Sequence, residues 1–417
     1  MKLLVVTQYF WPENFRINDL VAELVRRGHQ VTVLTGVPNY PEGRVFAEFR
    51  EDPARYADYK GAKVVRVPMT SRGSGAFRLV LNYVSFALSA SVVGLWKLRR
   101  CKFDAIFAYQ LSPVTVGIPA IVMRTVKHAP LAFWVLDLWP ETLHAIGVVR
   151  SPVLLRAVGK LVAYIYKRCD LILAQSQSFI PKIQQHVVDT SRVAYFPSWA
   201  EAVFDTQQAA PASEVPPHPG SFNVMFAGNV GDAQDFPAIL AAADSLKAYT
   251  QIRWLIVGDG RKAQWVAEEI TRRQLQDCVV MLGRHPVDRM PSFFKHADAL
   301  LVSLTDEPIF AMTIPGKLQS YLAAGIPVVA MLNGEGAALV SSSGAGLICP
   351  AGDSYGLAAA VLKLSQMTVD ARNAIGMRAL QTSKHEFDRT VLIDRLEGWI
   401  ETMSAEGPAH KKCGGCS

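Results

Sequence analysis

A lysine beside a proline–glycine pair could bind an anion in the last third of the chain. The stretch Ile309–Met331 reads as a loop, a short helix and a buried strand. Pro315 and Gly316 stand where the helix would begin, and Lys317 falls in its first turn. The free N–H groups of a helix N-terminus and a nearby ammonium can together hold a phosphate or a carboxylate. The alternative is an ordinary loop–helix–strand unit of an α/β domain.

Two glycine-rich turns occupy a similar setting, each between an apolar run and a helical pattern. They are Gly228–Gly231 and Gly258–Arg261. Glycines at such turns allow a ligand to approach the backbone, and the N–H groups of the following helix favour an anion. Either turn alone is weak evidence. Together with Lys317 they make three ligand-facing turns at one predicted sheet edge, so we expect an anion pocket there.

Carboxylates and an aromatic ring follow the apolar run Leu131–Val135 in the first half of the chain. Asp137 lies just beyond the end of this predicted strand, where it could take part in chemistry. Trp139 could stack on a sugar or pack against a neighbour. Glu141 lies near a helix start, where the macrodipole favours a negative charge with or without a ligand.

Two further loops of the first half carry polar side chains at predicted strand ends. Asn14 and Arg16 follow the first apolar run and could contact a ligand, although Asn14 could equally cap the next helix. Asn39 and Tyr40 lie between two prolines after the second run, which makes that loop stiff. In parallel sheets, ligands bind outside the carboxyl ends of the strands, so we expect these residues near a ligand.

The elements that must position these residues alternate between short apolar runs and helical patterns. Such alternation predicts parallel, doubly wound sheets in an α/β fold. A chain of 417 residues exceeds the size at which a single core stops growing, so we expect two domains. The loop after the first strand lacks GxGxxG, which argues against a dinucleotide cofactor.

Composition changes abruptly between the two predicted domains. Residues 200–220 are rich in Pro, Ala and polar side chains and lack periodicity, which predicts a linker. We therefore expect Rossmann-like domains over residues 1–199 and 221–384. A helix over residues 385–404 is expected to return to the first domain, and residues 405–417 would form a tail.

Charge and hydropathy indicate contact with an anionic membrane surface. Residues 1–199 carry 25 Lys and Arg against 13 Asp and Glu, whereas residues 200–417 carry 18 against 23. The uncharged stretch Leu79–Trp96 is at the lower edge of a spanning length, and we interpret it as a partly exposed helix of the fold. The basic helix Val153–Arg168 also suits a membrane surface, although packing against the sheet would explain it too. No nucleic-acid-binding signature is present, so we expect no nucleic-acid partner.

Six cysteines are present, and four of them lie within apolar or helical patterns, as expected for reduced thiols of a cytoplasmic protein. The other two, Cys413 and Cys416, form a CxxC near the C-terminus. One such pair without a second is weak evidence for metal, and a flexible tail is the simpler interpretation.

Several motifs, in order, resemble the retaining family 4 glycosyltransferases over nearly the whole chain. The resemblance rests on the opening through GHQVTVLTG, on GDG with Arg261, and on YLAAGIPVV. It implies the GT-B fold, two Rossmann-like parallel-sheet domains facing a cleft. The segments VPNYPEG, DLWPE, FAGNVG and TIPGKLQSYLAAG are similar to a bacterial exopolysaccharide and O-antigen branch. That branch includes colanic-acid fucosyltransferase-like and N-acetyl-L-fucosamine transferase-like proteins.

The chain departs from this family at charged positions. Where many members have an Arg and a Lys for the donor diphosphate, it has Asn229 and Gln234. The E-x7-E carboxylates, which engage the donor sugar and the donor ribose, are replaced by Met312 and Ser320. A catalytic-region His of the family falls near Asp137.

The resemblance implies sugar transfer with retention from a nucleoside-diphosphate sugar, a UDP- or GDP-sugar. The acceptor would be a polyprenyl-diphosphate-linked saccharide in the synthesis of O-antigen, capsule or exopolysaccharide. Positioning and electrostatic stabilisation of the departing diphosphate would accelerate the reaction without a metal or cofactor. The enzyme would be cytoplasmic and peripherally associated with the inner membrane.

Site roles follow from the motifs and the resemblance together. Catalytic roles are expected of Asp137, Lys317 and Arg261. Donor binding is expected of Gly228, Asn229, Gly231, Gln234, Gly258, Gly260, Arg284, Thr313, Ile314, Gly316 and Ser320. Acceptor binding is expected of Asn14, Arg16, Asn39, Tyr40, Trp139 and Glu141. Two alternatives stay open: a nucleotide-sugar 2-epimerase of the same architecture and a non-catalytic nucleotide-sugar-binding subunit.

Overall fold

The computed structural model describes residues 1–40, 43–73, 75–145, 147, 149, 151–205 and 209–408. Cys413 and Cys416, the predicted CxxC pair, lie outside the described residues. The chain forms two units. The first contains Met1–Pro197 and the C-terminal segment from Thr390, and the second is Ser198–Arg389.

The first unit is built on a largely parallel sheet. Its strands are β1 (Lys2–Val6), β2 (Gln30–Gly36), β3 (Asp58–Tyr59), β4 (Ala62–Val67), β5 (Ala105–Gln110), β6 (Leu131–Val135), β7 (Leu171–Ala174) and β8 (Val193–Tyr195). Their order is β3-β4-β2-β1-β5-β6-β7-β8, and β3 pairs with β4 in the antiparallel direction. β5 and β6 are buried along their whole lengths, as expected for strands covered on both faces.

Helices connect these strands. They are α1 (Arg16–Arg26), α2 (Ala47–Glu51), α3 (Ala76–Ser89), α4 (Leu95–Lys97), α5 (Gly117–Lys127), α6 (Glu141–Ala145), α7 (Pro152–Tyr166) and α8 (Phe179–Gln184). In α1 the apolar residues Ile17, Leu20 and Leu24 recur at helical spacing and are buried. This periodicity explains why the helix packs one face on the sheet.

The second unit repeats the architecture. Its strands are β9 (Phe222–Ala227), β10 (Ile252–Val257), β11 (Val279–Gly283), β12 (Ala299–Ser303), β13 (Val328–Met331) and β14 (Gly346–Cys349). Its helices are α9 (Phe236–Ser245), α10 (Ala263–Arg272), α11 (Met290–Phe294), α12 (Pro308–Ala311), α13 (Gly316–Ala323), α14 (Gly334–Ser343), α15 (Ser354–Ser365) and α16 (Val369–Glu386). The paired strands run parallel in the order β11-β10-β9-β12-β13-β14. Two parallel-sheet α/β domains confirm the predicted fold class.

Each sheet has a point where the strand order reverses, and ligands of such folds bind outside the carboxyl ends of the strands there. In the first unit this point lies between β1 and β5, and in the second between β9 and β12. A small pocket outside β1 and β5 is lined by residues such as Gln8, Tyr109 and Ser112. The turn Gly228–Gly231 follows β9 directly.

Of residues 200–220, predicted to be a linker, the described parts 200–205 and 209–220 belong to the second unit. Phe204, Ala212 and Val215 are buried in the core cluster of that unit. The guanidinium of Arg253 on β10 also donates to the Pro216 carbonyl over 3.0 Å. The segment has no periodicity because its apolar residues pack singly rather than along one face of a helix or strand.

The C-terminal helix α17 (Arg389–Glu406) groups with the first unit from Thr390 onward. Leu392, Leu396 and Ile400 are buried at helical spacing. Arg27, just after α1, forms ion pairs with Asp394 and Glu397. The second unit is therefore inserted in the chain between β8 and the last helix of the first unit.

The apolar segment from α3 to α4 is continuous over Phe77–Lys97 and is long and apolar enough to cross a membrane. Length and apolar composition alone do not distinguish a membrane span from a helix of a globular core. One face is buried, where Gly94 approaches Leu34 of β2 so closely that a Cβ would lie 2.9 Å from its side chain. The opposite face is exposed. We call it the apolar stripe: Phe77, Val80, Leu81, Val84, Leu88, Val92 and Trp96.

Candidate functional site: the sheet edges of the two units

The two glycine turns of the second unit touch each other. A Cβ on Gly258 would lie 1.8 Å from the Gly228 carbonyl oxygen, and one on Gly260 would lie 2.3 Å from that of Val230. Val230 N–H also donates to the Asp259 carbonyl over 3.0 Å. Gly228 and Gly258 have φ values of +144° and +146°, which residues with a side chain rarely adopt. These glycines are required because two backbones meet here.

Lys317 reaches the same place from α13. Its Nζ lies 3.9 Å from the centre of the Phe226 ring, and its Cε occupies the space that a Cβ on Gly228 would need. An ammonium over an aromatic face gains cation–π attraction. Burial nevertheless lowers the pKa of Lys317 to about 7, since the described residues place no carboxylate within salt-bridge distance of it. Within the described structure, a cation without an anionic partner thus lies beside two glycine turns.

Asn229 and Gln234 are tied to each other. The Asn229 amide donates to Gln234 Oε1 over 3.3 Å, and Gly231 N–H donates to the same oxygen over 3.1 Å. Ser303, at the end of β12, donates to the Gln234 backbone carbonyl over 2.7 Å. Asn229 and Gln234 therefore shape the loop after β9, and Gln234 fastens it to β12.

Arg261, predicted to be catalytic, and Arg284, predicted to bind the donor, both lie on the surface. The Arg261 side chain is 91% exposed, and its guanidinium is 3.8 Å from Asp232. Arg284, just after β11, is also exposed. Neither guanidinium is held in place in the way that Lys317 is, so an ordered cation at the glycine turns comes from α13.

The stretch that leads into α13 is only partly available to a ligand. The Ile314 side chain is buried in the core, so a ligand would meet only its backbone. The Thr313 hydroxyl donates to the Ile309 carbonyl over 2.8 Å. Gly316 begins α13 and is exposed, and a Cβ added to it would meet no atom within 4 Å. Ser320 donates to Glu201 Oε2 over 3.4 Å.

In the first unit, Asp137 holds its own turn. Its carboxylate accepts hydrogen bonds from the Thr142 hydroxyl and from Trp139 Nε1, the latter over 3.1 Å. Burial raises the pKa of Asp137, and these hydrogen bonds oppose the rise. Gln110 and Gln175 donate to the carbonyls of Asp137 and Leu136 over 2.7 and 2.6 Å. The carboxylate thus has a structural role that is sufficient to explain its position.

The two other residues of this turn differ in their surroundings. Trp139 is 6% exposed and its ring lies 6.0 Å from that of Tyr83, so it packs on a neighbour rather than presenting a face to a sugar. Glu141 is the first residue of α6. Its Oε2 is buried and has no hydrogen-bond partner among the described residues.

Glu13, which the sequence reasoning missed, organises the loops after β1 and β2. Its Oε1 accepts from the N–H groups of Asn39 and Tyr40 over 2.8 and 2.7 Å, and its Oε2 accepts from Phe10 N–H over 3.1 Å. The side chain is 3% exposed, and burial raises its pKa to about 7 against the effect of these hydrogen bonds. A lone carboxylate in the aromatic segment Tyr9–Phe15 was the available signal.

The predicted acceptor residues are therefore not equivalent. Asn39 is fully buried, and its side chain bonds the Val37 carbonyl and Arg72 N–H, so it bridges two loops instead of facing solvent. The Tyr40 ring packs on Tyr9 and Phe15. Asn14 is exposed and does not cap α1, whose N-cap is Phe15. Arg16 begins α1 and is half-buried.

Comparison with known proteins decides the family. A model of the glycosyl transferase 4-like domain matches residues 14–199, and a model of glycosyl transferases group 1 matches residues 221–367. Together they cover most of the chain. The chain belongs to the family 4 glycosyltransferases. The resemblance found in its motifs is thus confirmed, and glycosyltransferase activity is established at the level of the family.

The names of two curated relatives of this glycosyltransferase assign them to polysaccharide synthesis. The putative colanic acid biosynthesis glycosyl transferase WcaI of Escherichia coli is 25% identical over 345 residues, 78% of this chain and 82% of that protein. The amylovoran biosynthesis glycosyltransferase AmsK of Erwinia amylovora is 28% identical over 152 residues, little more than a third of either protein.

Solved structures share the fold of this glycosyltransferase. Anabaena HepE, in complex with UDP and glucose, superposes with a TM-score of 0.69 at 16% identity, over 97% of this chain and 100% of that one. WaaG, a glycosyltransferase involved in lipopolysaccharide biosynthesis, gives a TM-score of 0.62 at 14% identity, over 96% and 99% of the two chains. These likenesses support the GT-B fold.

Proposed function

We propose that this glycosyltransferase transfers a sugar, with retention, from a nucleoside-diphosphate sugar to a lipid-linked saccharide during synthesis of a bacterial surface polysaccharide. The names of WcaI and AmsK support the polysaccharide context. The observation that carries the donor assignment is Lys317, a half-buried ammonium beside two touching glycine turns.

The donor diphosphate would lie between these turns and the start of α13. Its charge would be met by the Lys317 ammonium and by N–H groups at the N-terminus of α13, where Gly316 leaves open space. Phe226 and the surrounding core keep this corner apolar, and a charge–charge interaction is stronger in a poorly polarisable environment than in water. Arg261, which is exposed, would join only when an anion is present.

Stabilisation of the departing diphosphate would drive the reaction. Retention by attack on the same face as the leaving group requires a stabilised diphosphate and an acceptor hydroxyl held close to it. It requires no protein nucleophile and no metal. Among the described residues, no cluster of three or more His, Cys, Asp and Glu could hold a metal ion. Electrostatic groups preorganised around developing charge are often the largest catalytic contribution.

The apolar stripe supports a lipid-linked acceptor. Phe77, Leu88, Val92 and Trp96 are each more than 60% exposed on one face of a long helix. Exposed basic residues flank the stripe: Arg78 at one end and Lys97, Arg99 and Arg100 at the other. An apolar face with basic ends suits the surface of an anionic bilayer. We therefore place the enzyme on the cytoplasmic face of the inner membrane.

The decisive experiment combines purified protein, a bacterial polyprenyl-lipid fraction and labelled UDP- or GDP-sugars. We expect label to enter the lipid fraction from one of these donors, with the anomeric configuration of the donor kept. Conversion of the nucleotide sugar to its epimer without any acceptor would instead identify the 2-epimerase alternative. Tight donor binding without transfer or epimerisation would identify a binding subunit.

A further inference from the structure

A carboxylate from a distant part of the chain lies next to Ser320. Glu201 accepts a hydrogen bond from the Ser320 hydroxyl over 3.4 Å, although the two residues are 119 positions apart. Ser320 is only 7% exposed. Glu201 lies just before the short turn Ala202–Asp205, which packs against α13. The helix that carries Lys317 therefore also holds a carboxylate near its middle.

Buried aromatic contacts anchor the Glu201 turn to the glycine turn. Phe204 stacks on Phe294 with ring centres 5.6 Å apart, and Phe294 meets Tyr321 edge-on at 5.7 Å. The Tyr321 hydroxyl bonds both the N–H and the carbonyl of Ala227, the residue before Gly228. The position of the Glu201 turn is thus fixed relative to the place proposed for the diphosphate.

The spacing along α13 matches the shape of a nucleoside diphosphate. Lys317 and Ser320 are three residues apart, so they lie on one side of the helix about one turn from each other. In a nucleoside diphosphate the ribose is joined to the phosphate next to it through one methylene group. A diphosphate at Lys317 would therefore bring the ribose to the neighbourhood of Ser320 and Glu201.

We propose that Glu201 recognises the ribose of the donor by accepting hydrogen bonds from its 2′- and 3′-hydroxyls, with Ser320 orienting the carboxylate. This inference rests on the proposed donor site. A carboxylate has two oxygens that can accept from neighbouring hydroxyls, and such charge-assisted bonds are among the stronger ones. Glu201 is thus a specificity determinant for a ribonucleotide.

The same carboxylate has the opposite effect on an anion that lacks a ribose. Pyrophosphate at Lys317 would meet the negative charge of Glu201 without any hydroxyl to bond it. Removal of that charge should therefore weaken nucleoside-diphosphate binding and leave pyrophosphate binding equal or tighter. Structural damage to the pocket would weaken both.

The test measures binding of UDP, GDP, their 2′,3′-dideoxy analogues and pyrophosphate by titration calorimetry. Wild-type protein should bind the ribose form about tenfold more tightly than the dideoxy form, the effect of roughly one charge-assisted hydrogen bond. Glu201→Gln should reduce this preference, because the amide keeps one acceptor oxygen but loses the charge, and it should not weaken pyrophosphate binding. Ser320→Ala should reduce the preference only in part. Glu268→Gln, an exposed change on α10, is the matched control and should behave like wild type.

Three outcomes would overturn the inference. If Glu201→Gln keeps the preference for ribose undiminished, Glu201 does not contact the ribose, and the proposed donor site still stands. If the substitution weakens the ribose form, the dideoxy form and pyrophosphate alike, Glu201 is only a structural residue. If wild-type protein binds neither UDP nor GDP, the proposed donor site itself is wrong and this inference fails with it.

Discussion

The carboxyl edges of the two sheets use charge in opposite ways. In the first unit, the carboxylates Glu13 and Asp137 accept hydrogen bonds from backbone and side-chain donors of the loops around them. In the second unit, the Lys317 ammonium lies beside glycine turns with an aromatic ring instead of a carboxylate. A charged side chain whose hydrogen bonds are satisfied within the protein stabilises the loops around it, whereas a half-buried charge without an opposite partner favours a ligand of opposite charge.

The largest effect should come from a substitution that forces the two glycine turns apart. In Gly258→Ala the new methyl group would overlap the Gly228 carbonyl at a φ of +146°. We expect loss of detectable nucleoside-diphosphate binding and a destabilisation of about 3 kcal/mol in denaturant unfolding. Gly283→Ala, at φ +72° with no atom within 4 Å, is the control and should cost about 1 kcal/mol without loss of binding. Equal effects of both substitutions would contradict the role of the contact.

Removal of the half-buried Lys317 charge should have the next largest effect. Lys317→Met keeps the length of the side chain and its packing on Phe226 but removes the charge. We expect transfer to fall by about 100-fold, since loss of one preorganised electrostatic group costs about 3 kcal/mol. Lys262→Met removes an ammonium that already pairs with Asp232 at 3.1 Å and serves as the control. Unchanged kcat/KM in Lys317→Met would show that the Lys317 charge has no catalytic role, and it would contradict the proposed difference between the two sheet edges.

The same lysine predicts a pH dependence of stability. Its folded-state pKa is about 7, below the value of 10.5 expected in the unfolded chain. Between these values the unfolded state binds more protons, so stability of the ligand-free protein should rise with pH from about 7 to 10. Unfolding at several pH values should show this slope in wild type and a smaller one in Lys317→Met. Nucleoside-diphosphate binding near pH 7 should take up a proton, measured as a buffer-dependent binding enthalpy.

The proposed membrane contact would distinguish the first unit from the second in another way. Leu88→Glu places a charge in the middle of the apolar stripe. Because Leu88 is 62% exposed, its replacement should change the stability of the fold little. We expect the affinity for anionic vesicles, measured by co-sedimentation, to fall by about tenfold. This factor corresponds to the free energy of removing part of one leucine side chain from water. Val369→Glu, an equally exposed site in the second unit, is the control. Equal vesicle binding by both variants would argue against the stripe as the membrane face.

The smallest effect should come from the satisfied carboxylate of the first unit. Glu13→Gln replaces an acceptor of three N–H groups by an amide, so the amides of Asn39 and Tyr40 should exchange with solvent several-fold faster. The raised pKa of Glu13, about 7, also means that wild-type stability falls as pH rises from about 4.5 through 7. The variant should lack this component. Glu48→Gln, an exposed helical change, should preserve both behaviours.

Periodicity and turn chemistry were sufficient to predict the two sheets, the helix at Lys317 and the glycine turns, because each depends on residues close in sequence. The contacts of the site were not predictable in this way. The meeting of Gly228 with Gly258, the bonds from Glu13 to Asn39 and the pair Ser320–Glu201 each join loops that follow different strands. Which loops meet depends on strand order, and local patterns carry no information about that order.

Burial also changed the meaning of some predicted residues. Trp139 and Asn39 have the residue types of a sugar-binding loop, yet both are enclosed by neighbours. Arg261 has the charge expected of a residue that binds the donor diphosphate, yet its side chain extends into solvent. Residue type predicts what a side chain can do, whereas its exposure depends on packing by distant segments.

The return of α17 to the first unit has a consequence for biosynthesis. A ribosome completes the whole of Ser198–Arg389 before it supplies the helix whose Glu397 pairs with Arg27 and His29. The second unit has all of its strands and can finish folding while the first still lacks its last helix. Synthesis that stops before Thr390 would leave a complete second unit attached to a first unit without α17. The apolar surface that Leu392 and Ile400 cover would then be exposed to solvent. A helix that is synthesised after the second unit therefore completes the first unit.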